Sequence, residues 1–558
     1  MTQSLHNTLP TTMFRCVLVL FKLFIVSASG AKILGAFFVP SISHQVVFQP
    51  IWKELSLRGH EVTVLTPNPL NDRSLTNLTE IDLSFAYEIV RSGNLQGTLQ
   101  KDIPIKTIVQ SYFKLFGEVV KAELEHSEVQ ALIRDQSKSF DLVIVEYMHP
   151  TFTALSARFK CPWVGITSLG AILPVYDNIG NPSHPVLNPD ILLPFTGGLG
   201  LYERLVSVYY SVWFRYFYYY HIVPDQDQVV KKYIGEDLPY LGDIEKTISL
   251  LFLNVNPILH PIRPNVPSVI ELGKMHIRTK SPLPKDLQQS LDKATEGVVY
   301  FSLGSNVRSA NLSLELREKI ITALSELPYT VLWKWEEDHL PNQPKNVIIN
   351  KWLPQQDLLT HRNVKVFVTQ GGLQSMEEAI SGGVPLVGMP FFGDQPLNCM
   401  KMVNLGIALS IDTETLTSED LKKTIIEVAE NPKYRKRVEE IRELLFDVPA
   451  TGLEKAIWWI EYVIRHKGAA HLRSPAVDLP FYQYYLLDVI GLVLAGVAVV
   501  LFIARKLFKL FFGNADNFGK RTLNILFFFS IMQTLAVNLH SDSMIFIHIN
   551  KLKIQLKT

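Results

Sequence analysis

The sequence predicts an α/β protein built from two doubly wound, Rossmann-like halves that face one another across a cleft. Three observations carry this expectation. Short apolar runs alternate with helical spacing in two separate blocks, a Pro-rich stretch divides the blocks, and glycine turns follow strand ends. At 558 residues the chain is too long for one ordinary domain.

The first block opens with an apolar strand from Lys32 to Val39, followed by Pro40-Ser-Ile-Ser-His44. Gln45 to Arg58 has helical spacing, Gly59 stops it, and Glu61 to Leu65 is a second strand. Such a βαβ unit requires parallel pairing. Asp141 to Val145 and Trp163 to Thr167 are further apolar strands. The aromatic run Tyr209 to Tyr220 has the spacing of a packed or membrane-apposed helix, which would also suit an apolar cavity wall. From Pro257 to Glu296 the chain is rich in Pro, Lys and Ser, which predicts a linker at 276–296 between domains at 31–275 and 297–445.

In the second block a strand from Val298 runs into Gly304-Ser305, and a helix follows from Ser313 to Leu327. Strands are expected at Thr330 to Trp335, Val347 to Trp352, Val364 to Thr369 and Leu386 to Met389, with a helix at Ser375 to Ser381. Helices at 446–483 are expected to return towards the first domain. No GxGxxG follows the first strand of either block and no GxxxxGK[ST] occurs, which disfavours NAD, FAD and a P-loop.

Charge and composition narrow the class further. There are 54 basic and 53 acidic residues, so nothing electrostatic points to nucleic acid. The hydrophobic fraction of 47% and the mean hydropathy of +0.15 direct attention to membrane segments. Met13 to Gly30 has the basic, apolar and small-residue order of a secretory signal, here assigned to 1–30. Leu486 to Ala504 is long and apolar enough to span a bilayer, within a transmembrane segment at 484–504. Arg505, Lys506 and Lys509 follow it and place the 505–558 tail in the cytosol. The expected topology is type I, with a lumenal body. A second apolar run at 523–537 is compatible with a second span, a re-entrant segment, a surface helix or an erroneous gene model. Sequons at Asn77 and Asn311 suit a lumenal body as glycosylation sites. The three cysteines, Cys16, Cys161 and Cys399, lack metal-site or redox spacing; Cys161 and Cys399 are expected as buried free thiols.

In open α/β sheets ligands bind beyond the carboxyl ends of strands. His44 lies just past the first strand, where a general base would sit, although a capping or surface histidine would occupy the same position. Glu146 follows an apolar strand of the same half and offers a carboxylate for the other ring nitrogen. In the second half, Gln370-Gly-Gly-Leu joins a strand to a helix N-terminus, a ready site for a diphosphate. Ser305 ends a similar turn, and Trp352-Leu-Pro-Gln-Gln356 offers an indole for stacking a base.

Lys351-Trp-Leu-Pro-Gln-Gln-Asp-Leu-Leu358, Phe367-Val-Thr-Gln-Gly-Gly372 and Pro390-Phe-Phe-Gly-Asp-Gln395 together resemble the signature of the UDP-glycosyltransferases. The UDP-glucuronosyltransferase branch, and its insect members, are most similar. The resemblance runs from Ala31 to about Arg505. It implies a GT-B fold and inverting transfer from UDP-glucose or UDP-glucuronate to a hydroxyl of a small lipophilic acceptor, without a metal or other cofactor. It further implies that Trp352 stacks on uracil, Gln355 reads its edge and Glu378 takes the ribose hydroxyls. Ser305, Gln370, Gly371, Gly372 and Gln374 would hold the diphosphate, Asp394 and Gln395 the sugar, and His44 with Glu146 would carry the catalysis. The membrane of the endoplasmic reticulum is the implied location, a detoxifying conjugation the implied role, and homo-oligomers are left open.

Four departures stand out. Glu146 replaces the usual Asp, Gln370 replaces the usual His, and His260 stands where an Arg is common. The terminus, Gln555-Leu-Lys-Thr558, lacks the dilysine retrieval signal. Two rival readings remain beside the main one. A metal-dependent GT-A enzyme would use Asp225-Gln-Asp227, which is expected in a polar turn. A non-catalytic membrane-anchored binding protein would have kept the fold and lost the chemistry.

Overall fold

The computed structural model describes residues 30–93, 103–195, 198–305, 307–391 and 393–512. The expected signal, apart from Gly30, and the apolar run at 523–537 lie outside the described residues. Residues to Val477 form one compact unit, and those from Asp478 form a second.

The first unit holds two all-parallel sheets. The N-terminal sheet comprises β1 (Lys32–Ala36), β2 (Glu61–Thr66), β3 (Leu78–Asp82), β4 (Leu142–Glu146), β5 (Trp163–Thr167), β6 (Leu250–Leu253) and β7 (Val269–Glu271). Their spatial order is β3-β2-β1-β4-β5-β6-β7. The C-terminal sheet comprises β8 (Val298–Ser302), β9 (Thr330–Lys334), β10 (Val347–Asn350), β11 (Val364–Thr369), β12 (Leu386–Gly388) and β13 (Ala408–Ser410), in the order β10-β9-β8-β11-β12-β13. Helices cover both faces, so β4, β5 and β8 are buried at every position and their sequences are unbroken apolar runs rather than alternating ones. Strand order reverses between β1 and β4 in one sheet and between β8 and β11 in the other.

Helices that position the site are α1 (Ile42–Leu57), α2 (Ile105–Glu125), α3 (Leu201–Phe217), α4 (Gln355–Leu359), α5 (Leu373–Gly382) and α6 (Gln395–Asn404). Helix α7 (Gly452–Arg465) packs against the N-terminal half. Its Ala456, Ile457, Ile460 and Val463 share one core with Ile33 of β1, Phe37 just after it, and Phe48 and Trp52 of α1. Arg58 and Glu461 close the outer edge of that contact at 3.2 Å. A capping box at Thr451 and Glu454 satisfies the first turn of α7 and fixes where the helix begins.

The Pro-rich stretch is not all linker. Strand β7 lies inside it and completes the first sheet. Within 276–296, Lys285–Lys293 is a helix whose Leu287 and Leu291 are buried in the C-terminal core. Prolines at its flanks had masked its apolar spacing. Asp225 and Asp227 are not in a turn either: they sit in the helix Val223–Tyr233, which follows α3 through a π-helical segment, Tyr218–Ile222. Asp227 there accepts the Leu241 N–H at 2.9 Å and pairs with Lys231 at 2.8 Å, a structural role. Among the described residues no group of three or more His, Cys, Asp or Glu is arranged to hold a metal.

In the second unit, α8 (Leu487–Phe512) is the one described helix long and apolar enough to cross a membrane; over its most apolar 18 residues the mean hydropathy is 2.7. It continues past the expected end at Ala504 through Arg505, Lys506 and Lys509.

Removing the methyl-rich side chain of Ile460, fully buried where α7 meets β1 and α1, is expected to destabilise the protein by about 2–5 kcal/mol. Guanidinium unfolding of Ile460→Ala beside the parent measures this, and a shift under about 0.5 kcal/mol would mean that the return of α7 is not part of the N-terminal core.

Candidate active site

The carboxyl ends of β1 and β4 bring two predicted residues together. After β1 the chain turns through Pro40 and Ser41 into α1, so His44 stands in the first turn of that helix. Glu146 is the last residue of β4. His44 Nδ1 and Glu146 Oε1 are 2.7 Å apart, and the carboxylate is wholly buried while the imidazole keeps 15% of its side-chain surface exposed. The other carboxylate oxygen, Oε2, accepts the Val39 N–H at 3.1 Å. A carboxylate has only acceptors, so this arrangement places the imidazole proton on Nδ1 and leaves Nε2 as a base. Nε2 makes no hydrogen bond to any described residue.

Gln45, which the sequence analysis did not single out, holds this corner. Its Nε2 donates to the carbonyls of Phe37 and Val39, and its Oε1 accepts from Thr66 Oγ1 at 2.8 Å. The turn after β1 is thereby tied to the end of β2. Behind Glu146 lie two groups without partners among the described residues, Tyr112 Oη and the Glu123 carboxyl. Burial raises the pKa of both, and the nearby Glu146 raises them further, so Glu123 is held neutral.

The second switch point gathers the donor-motif residues. Gly371, at φ +89°, follows β11 and turns the chain into α5, with Gly372 as its N-cap. A side chain at Gly371 would collide with Cys399 Sγ. The Gly371 carbonyl accepts from Asn398 Nδ2 at 3.0 Å, and Asn398 also donates to Asp394 Oδ2 at 2.7 Å. Asn398 thus ties the Gly-Gly turn to Asp394 at the start of α6; it escaped notice because it lies one helical turn beyond Asp394. Ser305 lies half-buried in the turn after β8, and Gln370 packs its amide against Gly304 in the same turn, at φ +75°. Lys334 Nζ donates to the Gly304 carbonyl at 2.9 Å and lies 5.9 Å from the Trp352 ring centre, joining that turn to the indole. Trp352 is 63% exposed, an open stacking face.

Other predicted residues turn inward. Gln355 Oε1 accepts from Tyr300 Oη at 3.0 Å, and its Nε2 donates to Ser375 Oγ at 3.1 Å and Glu378 Oε2 at 2.5 Å. Gln374 Nε2 donates across the domain boundary to the Ser168 carbonyl at 3.3 Å. Gln395 Oε1 accepts the Phe391 N–H at 2.9 Å. Glu378 also accepts from Gln356 and lies 3.5 Å from His276 Nε2. Burial pushes Glu378 up to about 7 and its neighbour Glu377 up to about 8, and holds His276 down at about 4. Lys274 and His276 reach this cluster from the chain that joins the two sheets.

These geometries meet independent likenesses. The family model described as UDP-glucoronosyl and UDP-glucosyl transferase matches residues 37–522. The chain belongs to this family. UDP-glucosyltransferase 2 of Dactylopius coccus is 33% identical over 499 residues, covering 88% of this chain and 95% of the relative. UDP-glucuronosyltransferase 2B7 of Homo sapiens is 31% identical, covering 83% of this chain and 90% of the relative. Among solved structures, the glycotransferase of kitacinnamycin aligns with a TM-score of 0.54 and 21% identity, over 78% of this chain and 99% of that one. TcCGT1 in complex with UDP aligns with a TM-score of 0.53 and 16% identity, over 79% of this chain and all of that one. The likeness in structure establishes the GT-B fold. The protein is a UDP-glycosyltransferase, with a UDP-sugar as co-substrate and no metal requirement.

Asn77 Nδ2 donates to the Ser56 and His60 carbonyls, and Asn77 Oδ1 accepts from Ser56 Oγ, so this amide is built into the fold. Asn311, in an exposed turn, has no such ties. Cys399 is buried as expected, but Cys161 is only half-buried; both are free thiols.

The buried carboxyls give a pH signature. Glu377 and Glu378 bind protons more tightly folded than unfolded, so their contribution to stability is complete below about pH 4.5 and is lost as pH rises through about 7 and 8. His149, His260 and His276, held at about 3, 3 and 4 by burial, act in the opposite sense only below their ordinary 6.5. Thermal midpoints are therefore expected to fall between pH 6.5 and about 8, and to fall less in Glu377→Gln. An identical slope in parent and variant would show that Glu377 does not titrate in this window.

Proposed function

We propose that this transferase moves glucose or glucuronate from its UDP-sugar to the hydroxyl of a small lipophilic acceptor, with inversion at the anomeric carbon, as a detoxifying conjugation. The observation that carries this reading is the 2.7 Å contact between His44 Nδ1 and the wholly buried Glu146, with Nε2 unengaged at the crevice between β1 and β4. A buried aromatic cluster supports a lipophilic acceptor: Phe116, Phe152 and His149 pack on Phe38, which follows β1 on the way to His44. Ecdysteroid UDP-glucosyltransferases among the relatives, one from Spodoptera littoralis nuclear polyhedrosis virus at 31% identity, favour the same class of acceptor.

In this mechanism His44 Nε2 takes the proton of the acceptor hydroxyl, and the imidazolium is stabilised by the Glu146 carboxylate across Nδ1–H. The acceptor oxygen forms its bond to the anomeric carbon as the bond from that carbon to the β-phosphate oxygen breaks. UDP leaves with the bonding electron pair, and its charge is met by the N–H groups at the start of α5 after Gly371-Gly372 and at the Ser305 turn. A single displacement turns an α-linked donor into a β-linked product. Trp352 stacks on the uracil. Glu378 takes the ribose hydroxyls once they displace the Gln355 and Gln356 amides, and because the Gln355 side chain is committed elsewhere, its main chain reads the base edge. Gln370 offers a neutral amide to the phosphates beside Gln374, and Asp394 with Gln395 faces the sugar. Burial raises the pKa of Asp394, and the hydrogen bond from Asn398 partly offsets it.

The membrane helix α8 and a lumenal body in the endoplasmic reticulum complete the reading, in keeping with a lipophilic acceptor supply.

The test is UDP release from UDP-glucose and from UDP-glucuronate against a panel of phenols and steroids. His44→Ala is expected to lower kcat by about 10²–10⁴-fold with donor affinity retained. Equal turnover in the variant would remove His44 as the base, and donor binding without UDP release by the parent would favour a binding protein. Glu146→Gln keeps the side-chain volume but removes the charge; it is expected to reduce kcat while leaving the donor KM within about twofold, as loss of transition-state stabilisation requires.

A further inference from the structure

The segment that joins the two sheets, from Leu272 to Arg278, touches helix α5 and puts one imidazole between two carboxyls. His276 Nε2 lies 3.5 Å from Glu378 Oε1, and its Nδ1 lies 3.6 Å from Glu377 Oε2. The imidazole side chain is 1% exposed and the Glu377 side chain is wholly buried. Among the described residues, neither His276 Nδ1 nor Glu377 Oε2 has a hydrogen-bond partner. Two facing polar atoms so deeply buried and so close must share a proton if neither is to be stranded.

The neighbours assign that proton. Nε2 faces two acceptors, the Gln374 carbonyl at 3.3 Å and the Glu378 carboxylate, so it carries the ring hydrogen. Nδ1 is then a bare lone pair, and the Glu377 oxygen that faces it suits it only as an O–H. The other Glu377 oxygen accepts the Lys274 N–H at 3.3 Å. Burial acts in the same direction, pushing Glu377 up to about 8 and holding His276 down at about 4. At neutral pH the cluster is therefore a protonated Glu377, a neutral His276 and an N–H aimed at Glu378.

Glu378 needs that donor most when the nucleotide arrives. In the free protein it accepts from the amides of Gln355 and Gln356, the groups that ribose hydroxyls would displace. The other charged and titratable groups around it are engaged elsewhere. Arg278 Nη1 donates to Asp357 at 3.1 Å, Lys274 Nζ donates to the Leu445 carbonyl, and Tyr300 Oη donates to Gln355. His276 is left to hold the carboxylate from behind.

We propose that His276 is a positioning residue for the donor: its Nε2–H keeps Glu378 ionised and aimed at the ribose, and the Glu377 hydroxyl on Nδ1 keeps that tautomer. This rests on the reading of Glu378 as the ribose-binding group and adds what keeps it competent. Because the imidazole comes from the segment between the sheets, nucleotide affinity also depends on how that segment lies against α5.

Calorimetry on the full-length protein in detergent, comparing UDP with 2′,3′-dideoxy-UDP across neutral pH, tests this. The analogue keeps the uracil and the phosphates, so the difference in affinity isolates the ribose hydroxyls. In the parent the preference for UDP is expected to fall about tenfold from pH 8 to pH 6, because a carboxyl pushed up to about 7 must be ionised to accept them. His276→Leu is expected to weaken UDP by about tenfold at neutral pH, to leave the analogue unaffected, and to move the midpoint of the pH dependence upwards. His276→Gln, whose amide N–H stands in for the ring Nε2–H, is expected to restore both. Should the Leu variant fail to bind the analogue, His276→Asn, which is too short to reach Glu378, takes its place.

A preference for UDP that does not change with pH in the parent overturns the proposal. So does a Leu variant with the parent's preference and midpoint. Equal losses in the Leu and Gln variants overturn it as well, and assign His276 to packing. Glu378→Gln separates the reading beneath: if it keeps the parent's preference for UDP, Glu378 does not bind ribose and the fault lies there. If it abolishes the preference while the parent is insensitive to pH, the role of His276 alone fails.

Discussion

Where the crossovers of a parallel sheet part to opposite faces, the carboxyl ends of two neighbouring strands enclose a crevice that the sheet cannot fill. This chain makes such a reversal twice, between β1 and β4 and between β8 and β11. All else about the site depends on that constraint. His44 and Glu146 are 102 residues apart in sequence, yet they meet because Glu146 ends β4 and His44 stands in the first turn of the helix that follows β1 at the first reversal. The turn after β8 and the turn after β11 meet at the second for the same reason, with Gln370 packed against Gly304. The chemistry is placed by strand order before any side chain is chosen.

Around each crevice a ring of buried polar side chains keeps the first residues in position. Gln45, Asn398, Lys334 and Gln356 join turns that the chain visits at distant times, and each does so through at least two hydrogen bonds. Glu146 is an example of what this support permits. The longer side chain reaches His44 and still returns its second oxygen to the Val39 amide, so one added methylene is absorbed without loss of either bond. At the donor end the substitution has another character. Gln370 bonds Thr369 Oγ1 through its own carbonyl oxygen and is mostly buried, which makes it part of the turn as well as a group beside it.

Much of this was legible in the sequence because fully buried parallel strands are plain apolar runs. β4, β5, β8 and β11 fall within a residue of their expected positions, and the Gly-Gly turn declares itself. β3 was not legible: Leu-Thr-Glu-Ile-Asp alternates and lies at a sheet edge, where a strand needs only one apolar face. β7 is three residues long among prolines, and Lys285–Lys293 has only two buried leucines to mark it. Asp225 and Asp227 resembled a polar turn because the π-helical segment before them interrupts the helical period. The supporting residues were beyond reach for a different reason. Nothing in the spacing of Gln45 or His276 records a partner that tertiary structure supplies from elsewhere in the chain.

The return of α7 has a consequence for how the protein is made. The core around Ile33, Phe37 and Trp52 is closed by Ile457 and Ile460, more than four hundred residues downstream. A ribosome delivers the N-terminal half first, but that half waits with an apolar face uncovered until the whole C-terminal half has emerged. Its last surface to close is the first to have been synthesised. During that interval the nascent chain depends on chaperones, or on the early folding of its neighbour, to keep α1 from sticking elsewhere. Truncations that end before Gly452 would therefore yield two halves of unequal quality, the later-synthesised one nearly complete and the earlier one open.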